Sequence, residues 1–454
     1  MNYQDFIEQK TSISGNFGFE PTFMPSAAFD FQRSLIEWAV RKGRAAIFAD
    51  CGMGKSLMQL AFAQNVIERE NKPVLILTPL AVGAQTVKEA AKFGIEAERS
   101  LDGKHTGARV VVANYQRLHL FDPNDFAGTV CDESSILKNF DGVTKEAVTN
   151  FMLKQKYRLL CTATAAPNDF IELGTSSEAL GHMGYMDMLG KFFKKNQQTT
   201  SRKDENRSGV YRFRGHAERD FWRWVCGWAR AIRKPSDLGF DDGQLTLPPL
   251  ITEEHIIKSD KPAEGMLFSM EAVGLQEQRS ERSRTVSERC ELAAELVAKT
   301  GRPAIQWCHL NTESAILKKL TPDSIEVSGS DPDEAKEEAF EAFLSGQARV
   351  LVSKPSIAGF GMNFQHCAHQ TFFPSHSFEQ YYQAVRRSWR FGQRRPVHID
   401  VIASEGERGV LKNLNRKTEA SERMFAQLIS LMNNELIVQK KKQSTETPSL
   451  PSWI

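Results

Sequence analysis

The sequence lacks several features that define whole classes of protein. Its seven cysteines are an odd number and include no C-x-x-C pair. That argues against a disulfide framework and against a structural zinc site, and it favours a reducing cytoplasm. The longest apolar runs fall far short of the roughly 18 residues that a membrane span needs. The first 20 residues carry three acids and no apolar core, so we expect no membrane association and no signal peptide.

A strong excess of one charge is also missing. Lys and Arg number 58 against 56 Asp and Glu, which gives a net charge of +2. A chain so close to neutral neither requires nor excludes nucleic acid, and any site for a polyanion must be a local patch. The 41% of hydrophobic and 25% of charged residues are ordinary for a globular protein.

Short apolar segments alternate with amphipathic segments in two parts of the chain. Most of the short segments are continuous apolar runs, as in parallel strands that are buried on both faces. This predicts an α/β fold with two doubly wound parallel-sheet domains in tandem and a helical, basic insertion between them. The predicted strands are 45–49, 74–78, 109–113, 129–132 and 158–162, then 304–308, 324–328, 349–353, 370–373 and 397–402.

The predicted boundaries follow these alternations and the change in composition between them. We predict an N-terminal segment at 1–28, a first domain at 29–173, an insertion at 174–286, a second domain at 287–432 and a flexible tail at 433–454. The end of that tail is rich in Ser, Thr and Pro, which is typical of disorder.

The strongest local pattern is A-D-C-G-M-G-K-S at 49–56, between a predicted strand and a predicted helix. Backbone N–H groups at Gly52 and Gly54 can approach phosphate oxygens, and the helix N-terminus adds partial positive charge. Lys55 can reach the outer phosphates, and the Ser56 hydroxyl can ligate Mg²⁺. Ala49 stands where the usual pattern has its first glycine.

An acidic pair lies at the end of a later strand. Asp132 and Glu133 follow the apolar run 129–131, and Asp132 is 77 residues after Lys55. In a nucleotide site such a pair divides two tasks, since Asp132 would help to hold Mg²⁺ and Glu133 would polarise the attacking water. The alternative is a solvated Asp-Glu pair at a strand end.

Over about residues 25–430 the sequence resembles a superfamily two helicase or translocase of the Swi/Snf type. Motif VI carries the most specific similarity, because Q-A-V-R-R-S-W-R-F-G-Q at 383–393 has six fixed positions in eleven. Ser135 stands where the acidic box usually has His, and 162–168 departs from T-G-T-P-x-x-N. The other similar segments are Phe31-Gln32, motif I at 49–56, 78–80, 114–115, 132–135 with 138–139, 162–168 and motif V at 359–363.

This resemblance implies two RecA-like domains that use ATP and Mg²⁺ to act on nucleic acid. It implies that Gln32 reads adenine and that Gly361 belongs to the nucleotide site. We also expect Arg387 and Arg390 to lie on one face of a helix and to stabilise the transferring phosphoryl group. ATP would then sit in the cleft between the domains, and closure of that cleft would drive movement.

The predicted insertion holds two further features. Residues 191–214 contain eight basic and two acidic residues, a candidate for nucleic-acid binding or a charged loop. Three tryptophans follow within eight residues. Phe221, Trp224 and Trp228 have the spacing of one helix face, so we expect core packing, with base stacking as the alternative.

Together these features predict an ATP-dependent motor on nucleic acid, most consistent with a double-stranded DNA translocase or helicase. Two alternatives stay open. One is an RNA helicase of the same superfamily, and the other is an ATP-gated scaffold that binds DNA with little movement.

Overall fold

The computed structural model describes residues 15–104, 107–166, 169–195, 211–243, 245–258, 275–359 and 362–445. The chain divides into two units. The first is drawn from Met1–Thr78, Thr86–Asp242 and Ser421–Ile454, and the second from Pro79–Gln85 and Gly243–Ala420. Each unit contains one parallel sheet with helices, so the predicted α/β fold with two doubly wound sheets is confirmed.

The sheet of the first unit has seven strands. Every pairing within it is parallel, and the spatial order is β3-β4-β2-β5-β6-β1-β9. Parallel strands need helical crossovers, which supply the helices of this unit. The strands are β1 Arg44–Ala49, β2 Val74–Thr78, β3 Ala97–Arg99, β4 Val110–Asn114, β5 Gly128–Asp132, β6 Tyr157–Thr162 and β9 Ala229–Ile232.

The five predicted strands of the first unit are confirmed within a residue at each end. Strands β2, β5 and β6 are buried at every position, which is why continuous apolar runs indicated them. The α-helices of this part of the chain are Asp30–Lys42, Lys55–Glu70, Gly83–Lys92, Val143–Leu153, Leu173–Leu180, Tyr185–Phe192 and Ala217–Cys226.

The sheet of the second unit has six strands, again with parallel pairings, in the order β10-β15-β14-β11-β13-β12. All five predicted strands are present here too. The strands are β10 Leu250–Ile257, β11 Ala304–Trp307, β12 Ser324–Val327, β13 Val350–Ser353, β14 His369–Phe372 and β15 Val397–Ser404. The helices of this part of the chain are Leu275–Arg284, Val286–Thr300, Asn311–Leu320, Asp333–Leu344, Pro355–Ala358, Phe378–Val385 and Arg408–Thr445, the last of which belongs to the first unit from Ser421 onward.

Two strands in the predicted insertion are edge strands of the sheets. Strand β9 pairs with β1 in the first unit, and β10 pairs with β15 in the second. Earlier in the chain than both of them, β7 Phe193–Lys195 and β8 Tyr211–Phe213 form an antiparallel pair. Residues 196–210 of the predicted basic segment lie outside the described residues.

The tryptophan cluster lies in the core of the first unit, as the helical spacing predicted. Trp222, Trp224 and Trp228 are buried among other aromatic side chains of the same unit, including Phe221 and Phe192. Aromatic rings in tilted and edge-on contact stabilise a core beyond the area that they bury. Base stacking is therefore excluded for these three residues in this conformation.

All seven cysteines fall within the described residues, and each is buried as a thiol rather than in a disulfide bond. Burial raises the pKa of Cys131, Cys290 and Cys308 to about 12. Among the described residues, no helix has the length and apolar character that crossing a membrane requires.

Candidate active site

Three adjacent parallel strands of the first sheet end at the candidate site. Strand β6 lies between β5 and β1, and Asp132 pairs with Cys161 while Phe48 pairs with Thr162. The carboxyl ends of β5, β6 and β1 therefore reach the same edge, where ligands bind in open α/β sheets. This edge carries the acidic pair at the end of β5, Thr162 at the end of β6 and the glycine loop after β1.

The glycine loop makes a tight turn between β1 and the helix Lys55–Glu70. Gly52 and Gly54 have φ of 90° and 79°, in the left-handed region that favours glycine. A Cβ on Gly54 would also collide with the side-chain amide of Gln32. The amide of Asp50 donates to Ile232 of β9 at 2.9 Å, which fixes the start of the loop to the sheet.

Lys55 lies at the first position of that helix and turns back over the loop. Its ammonium donates to the carbonyl oxygens of Ala49 at 3.0 Å and Asp50 at 3.5 Å. Burial pulls the pKa of Lys55 down, but Cys51, Glu133, Asp132 and Asp50 outweigh burial, so its pKa lies above the ordinary value. The side chain is therefore a fixed positive charge beside two carboxylates.

Gln32 is buried and connects the helix Asp30–Lys42 to the glycine loop. Its Nε2 donates to the Met53 carbonyl oxygen at 2.9 Å, and its Oε1 accepts from the Phe29 amide at 2.9 Å. The predicted adenine-reading residue thus lies directly against the loop. Its role towards adenine stays a prediction, because the contacts here are with the backbone.

Asp132 is the last residue of β5 and is buried. Its Oδ1 accepts from Gln59 Nε2 at 2.6 Å, and its carbonyl oxygen accepts from the Tyr115 hydroxyl at 2.6 Å. Burial raises the pKa of Asp132 above its ordinary value, although Gln59 and then Lys55 act in the opposite direction. A buried carboxylate at a strand end with a fixed orientation is suited to hold a cation.

Glu133 follows Asp132 in a left-handed conformation, with φ of 50° and ψ of 53°. Among the described residues, Asn71 is the only other non-glycine with positive φ, and it lies at a helix C-terminus where that is common. Such a backbone persists only where its surroundings enforce it, and these positions cluster at functional sites. The carboxylate accepts from the Thr162 hydroxyl at 3.3 Å.

The donors at this edge fit a nucleoside triphosphate with Mg²⁺. The first-turn N–H groups of the helix at Lys55 have no intrahelical acceptors, and the loop in front of them has no Cβ at Gly52 and Gly54. A hydroxyl at Ser56 and a carboxylate at Asp132 are the hard oxygen ligands that Mg²⁺ prefers. Gly361, also predicted for the nucleotide site, lies outside the described residues.

The predicted arginine helix is wrong in one respect. The helix Phe378–Val385 ends before both arginines, and residues 386–390 form a turn and bend instead. The turn is held by backbone bonds, since the amide of Phe364 donates to the Arg387 carbonyl oxygen at 3.0 Å. Three-residue spacing cannot distinguish a helix from a tight turn of this kind.

Arg387 and Arg390 differ in their surroundings within the second unit. Arg387 is buried, and it donates to the carbonyl oxygens of Gln383 at 3.0 Å and Met362 at 3.1 Å. The second bond joins motif VI to motif V. Arg390 is half-buried, so its guanidinium is the more accessible of the two.

Two glutamines fix other site residues in place, Gln59 at Asp132 and Gln393 at the end of motif VI. Only Gln393 lies in a predicted motif. Gln393 Nε2 donates to the carbonyl oxygens of Gln365 at 2.8 Å and Cys367 at 3.0 Å, which fixes the end of motif VI. Gln59, which orients Asp132, was not predicted. Its signal is a lone polar residue in the buried run L-M-Q-L-A-F at 57–62, four residues after Lys55.

The fold and this edge define a class: a two-sheet α/β protein with a glycine loop, a lysine and an acidic pair at the carboxyl ends of adjacent strands. No protein-family model matches the sequence, and no curated protein matches it. Among solved structures the chain is similar to the Sulfolobus solfataricus SWI2/SNF2 ATPase core in complex with dsDNA. The identity is 15%, the match covers 95% of this chain and 99% of that chain, and the TM-score is 0.42.

Proposed function

We propose that this protein is an ATP-dependent motor on nucleic acid and that its track is duplex DNA. The observation that carries the proposal is the arrangement of Lys55, Asp132 and Glu133 around one edge of a parallel sheet, beside a loop that has no Cβ at two positions. A fixed ammonium beside two buried carboxylates is suited to phosphoryl transfer to water.

Each side chain has a separate task in this proposal. Lys55 and the first-turn N–H groups bind phosphate oxygens, and Ser56 and Asp132 hold Mg²⁺, which when bound neutralises charge on the phosphates. Glu133 accepts the proton of the attacking water, and Thr162 orients its carboxylate. Arg387 and Arg390 stabilise charge on the transferring group, as the sequence resemblance implies.

One sequence feature favours duplex DNA over RNA, and a second favours a nucleic acid of either kind. Motif VI ends in R-F-G-Q at 390–393, like the translocating branch rather than the RNA helicases. The basic segment 191–214 supplies a local charge of about +6, which attracts a phosphate backbone without reading bases.

The first test is an ATPase assay with a panel of duplex DNA, single-stranded DNA and RNA. We expect duplex DNA to stimulate hydrolysis most. Glu133→Gln should bind ATP but hydrolyse it about 10² to 10⁴ times more slowly, because only proton acceptance is lost. The matched control is Glu96→Gln, an exposed Glu of the same unit, which should hydrolyse ATP like wild type. An unchanged rate in Glu133→Gln would refute the assignment.

The second test separates movement from strand separation. A translocase displaces a triplex-forming third strand and unwinds a blunt duplex little, whereas a helicase unwinds a forked substrate. Robust fork unwinding without triplex displacement would favour the helicase. DNA binding that depends on ATP, with neither activity, would favour the scaffold.

A further inference from the structure

A second cluster of titratable side chains lies in the second unit, near the amino-terminal ends of its strands. Asp400 lies in β15 between Glu253 of β10, which is directly opposite in register, and Thr371 of β14. Residues two apart share a face of a strand, so His369 of β14 and His255 of β10 lie on the same face as Asp400. Motifs V and VI begin after the carboxyl ends of β13 and β14, so this cluster is not part of the candidate active site.

Two imidazole groups lie within hydrogen-bond distance of the Asp400 carboxylate. His255 Nε2 lies 2.7 Å from its Oδ1, and His369 Nε2 lies 2.7 Å from its Oδ2. Burial alone would raise the pKa of Asp400, but the hydrogen bonds from His369 and His255 outweigh it, so the pKa is lowered and the group is a carboxylate. Thr300 Oγ1 lies 3.3 Å from His369 Nδ1, so both ring nitrogens of His369 have a polar neighbour that fixes its orientation.

A second carboxylate stands beside this group without a counter-ion. Ligand atoms of Glu253, His255 and Asp400 all lie within 4.8 Å of one another. Like charges directly opposite on neighbouring strands are destabilising. Within the described residues, no Lys or Arg forms an ion pair with Glu253 or Asp400. The pair therefore offers a net negative charge that a cation would neutralise.

Glu253, His369 and Asp400 line a cavity of about 290 Å³, enough for a cation and its water ligands, and His255 lies against Asp400 outside that lining. Side chains of the helix Val286–Thr300 close one wall, and three exposed basic residues also line the cavity, from which their long side chains can extend charged ends into solvent. The lining includes Glu253, His369 and Asp400, with Leu296, Lys299, Thr300, Arg302, Arg395 and His398 around them.

We propose that this cluster is a binding site for a divalent transition metal of the zinc class, with His255, Asp400 and Glu253 as ligands and His369 as the partner that orients Asp400. An imidazole ligand favours zinc, cobalt or nickel over Mg²⁺ and Ca²⁺, which prefer oxygen. Coordination needs an unprotonated His255 Nε2, so a neutral ring takes the Nδ1–H tautomer and a charged ring loses one proton to solvent, and the N···O separation opens to about 3.0–3.4 Å around metal bonds of roughly 2.1 Å. The site contains no cysteine, so the cysteine spacing that argued against zinc does not bear on it.

The test titrates Co²⁺ and then Zn²⁺ into the full-length chain after metal removal, without nucleotide. Visible Co²⁺ absorption reports coordination, and calorimetry reports affinity and stoichiometry. We expect one site per chain that binds Zn²⁺ with a micromolar or lower Kd. His255→Gln, whose amide can still donate to Asp400, should weaken binding at least about 100-fold, since losing even an outer partner of a ligand costs 10–100-fold.

Two further variants keep the result interpretable. Glu253→Gln changes an exposed side chain and should fold normally while binding at least about 10-fold more weakly. His398→Gln removes an exposed histidine of the same cavity that is not a proposed ligand, and it should bind like wild type. Absence of binding at 1:1 in wild type, or equal binding in His255→Gln and wild type, would overturn the proposal. Neither readout depends on ATP hydrolysis.

Discussion

Gln59 provides the sharpest test of how the first unit holds Asp132. Its Nε2 donates to Asp132 Oδ1 at 2.6 Å, and both groups are buried. Gln59→Met keeps the length of the side chain but removes the donor. Hydrogen bonds to charged groups contribute about 1.5–3 kcal/mol, so we expect the free energy of unfolding at pH 7.5 to fall by about 2 kcal/mol.

The loss should depend on pH in a defined direction. The pKa of Asp132 in the folded state is raised above its ordinary value of 3.8, so folding favours the protonated carboxyl group. The free energy of unfolding therefore falls as the pH rises from 3.8 through the raised pKa. Removing the Gln59 donor raises that pKa further. The variant therefore loses additional stability only above the wild-type pKa, and its deficit should shrink as the carboxyl group becomes protonated at lower pH.

Urea denaturation at several pH values measures this deficit. The matched control is Gln64→Met on the same helix, where Gln64 donates to Glu68 at 3.0 Å in an exposed bond. Exposed pairs are screened by solvent, so the control should lose at most about 0.5 kcal/mol at any pH. Equal losses in the two variants, or a loss in Gln59→Met that does not change with pH, would refute the reasoning.

Three further predictions concern other parts of the chain. Arg390→Ala should lower the ATP turnover rate about 10³-fold with little change in KM, whereas the exposed Arg394→Ala should not; a normal rate in Arg390→Ala would contradict its proposed role. Burial lowers the pKa of His182 to about 4 from 6.5, so acidification from pH 7.5 to 5 should remove about 2 kcal/mol of unfolding free energy through this group. His182→Gln should make the free energy of unfolding less dependent on pH over this range, and an unchanged dependence would assign the loss to another group. Replacing four basic residues of the segment 191–214 by Gln should make the slope of log affinity against log salt shallower by up to about 3.6; an unaltered slope would assign them to a solvated loop. These four are Lys194, Lys195, Arg202 and Lys203.

The sequence predicted the buried strands well because burial on both faces leaves continuous apolar runs. It missed β3, β9 and β10, which are edge strands, and β3 has only three residues. Strand β9 has only four residues, and β10 has an exposed or half-buried position at every residue, so neither shows a clear apolar pattern. Edge strands are set by the neighbour they pair with, which a local pattern does not contain.

The candidate site was predictable where the signal is local and not where it is long-range. The glycine loop and the acidic pair follow strands directly, so their positions at one sheet edge follow from the fold class. The contact of Gln59 with Asp132 joins residues 73 apart in the chain, and no spacing rule indicates it. The turn that carries Arg387 likewise depends on bonds from Gln393 to carbonyl groups 26 and 28 residues earlier.

The seven buried thiols give the protein a built-in set of reporters for local opening. A thiol reacts with alkylating agents as the thiolate, and burial holds several of these groups protonated. Four lie in the first unit and three in the second, so alkylation rates followed by mass spectrometry would time the opening of each unit separately. No label needs to be introduced, and a ligand that stabilises one unit would slow labelling at its cysteines while leaving those of the other unchanged.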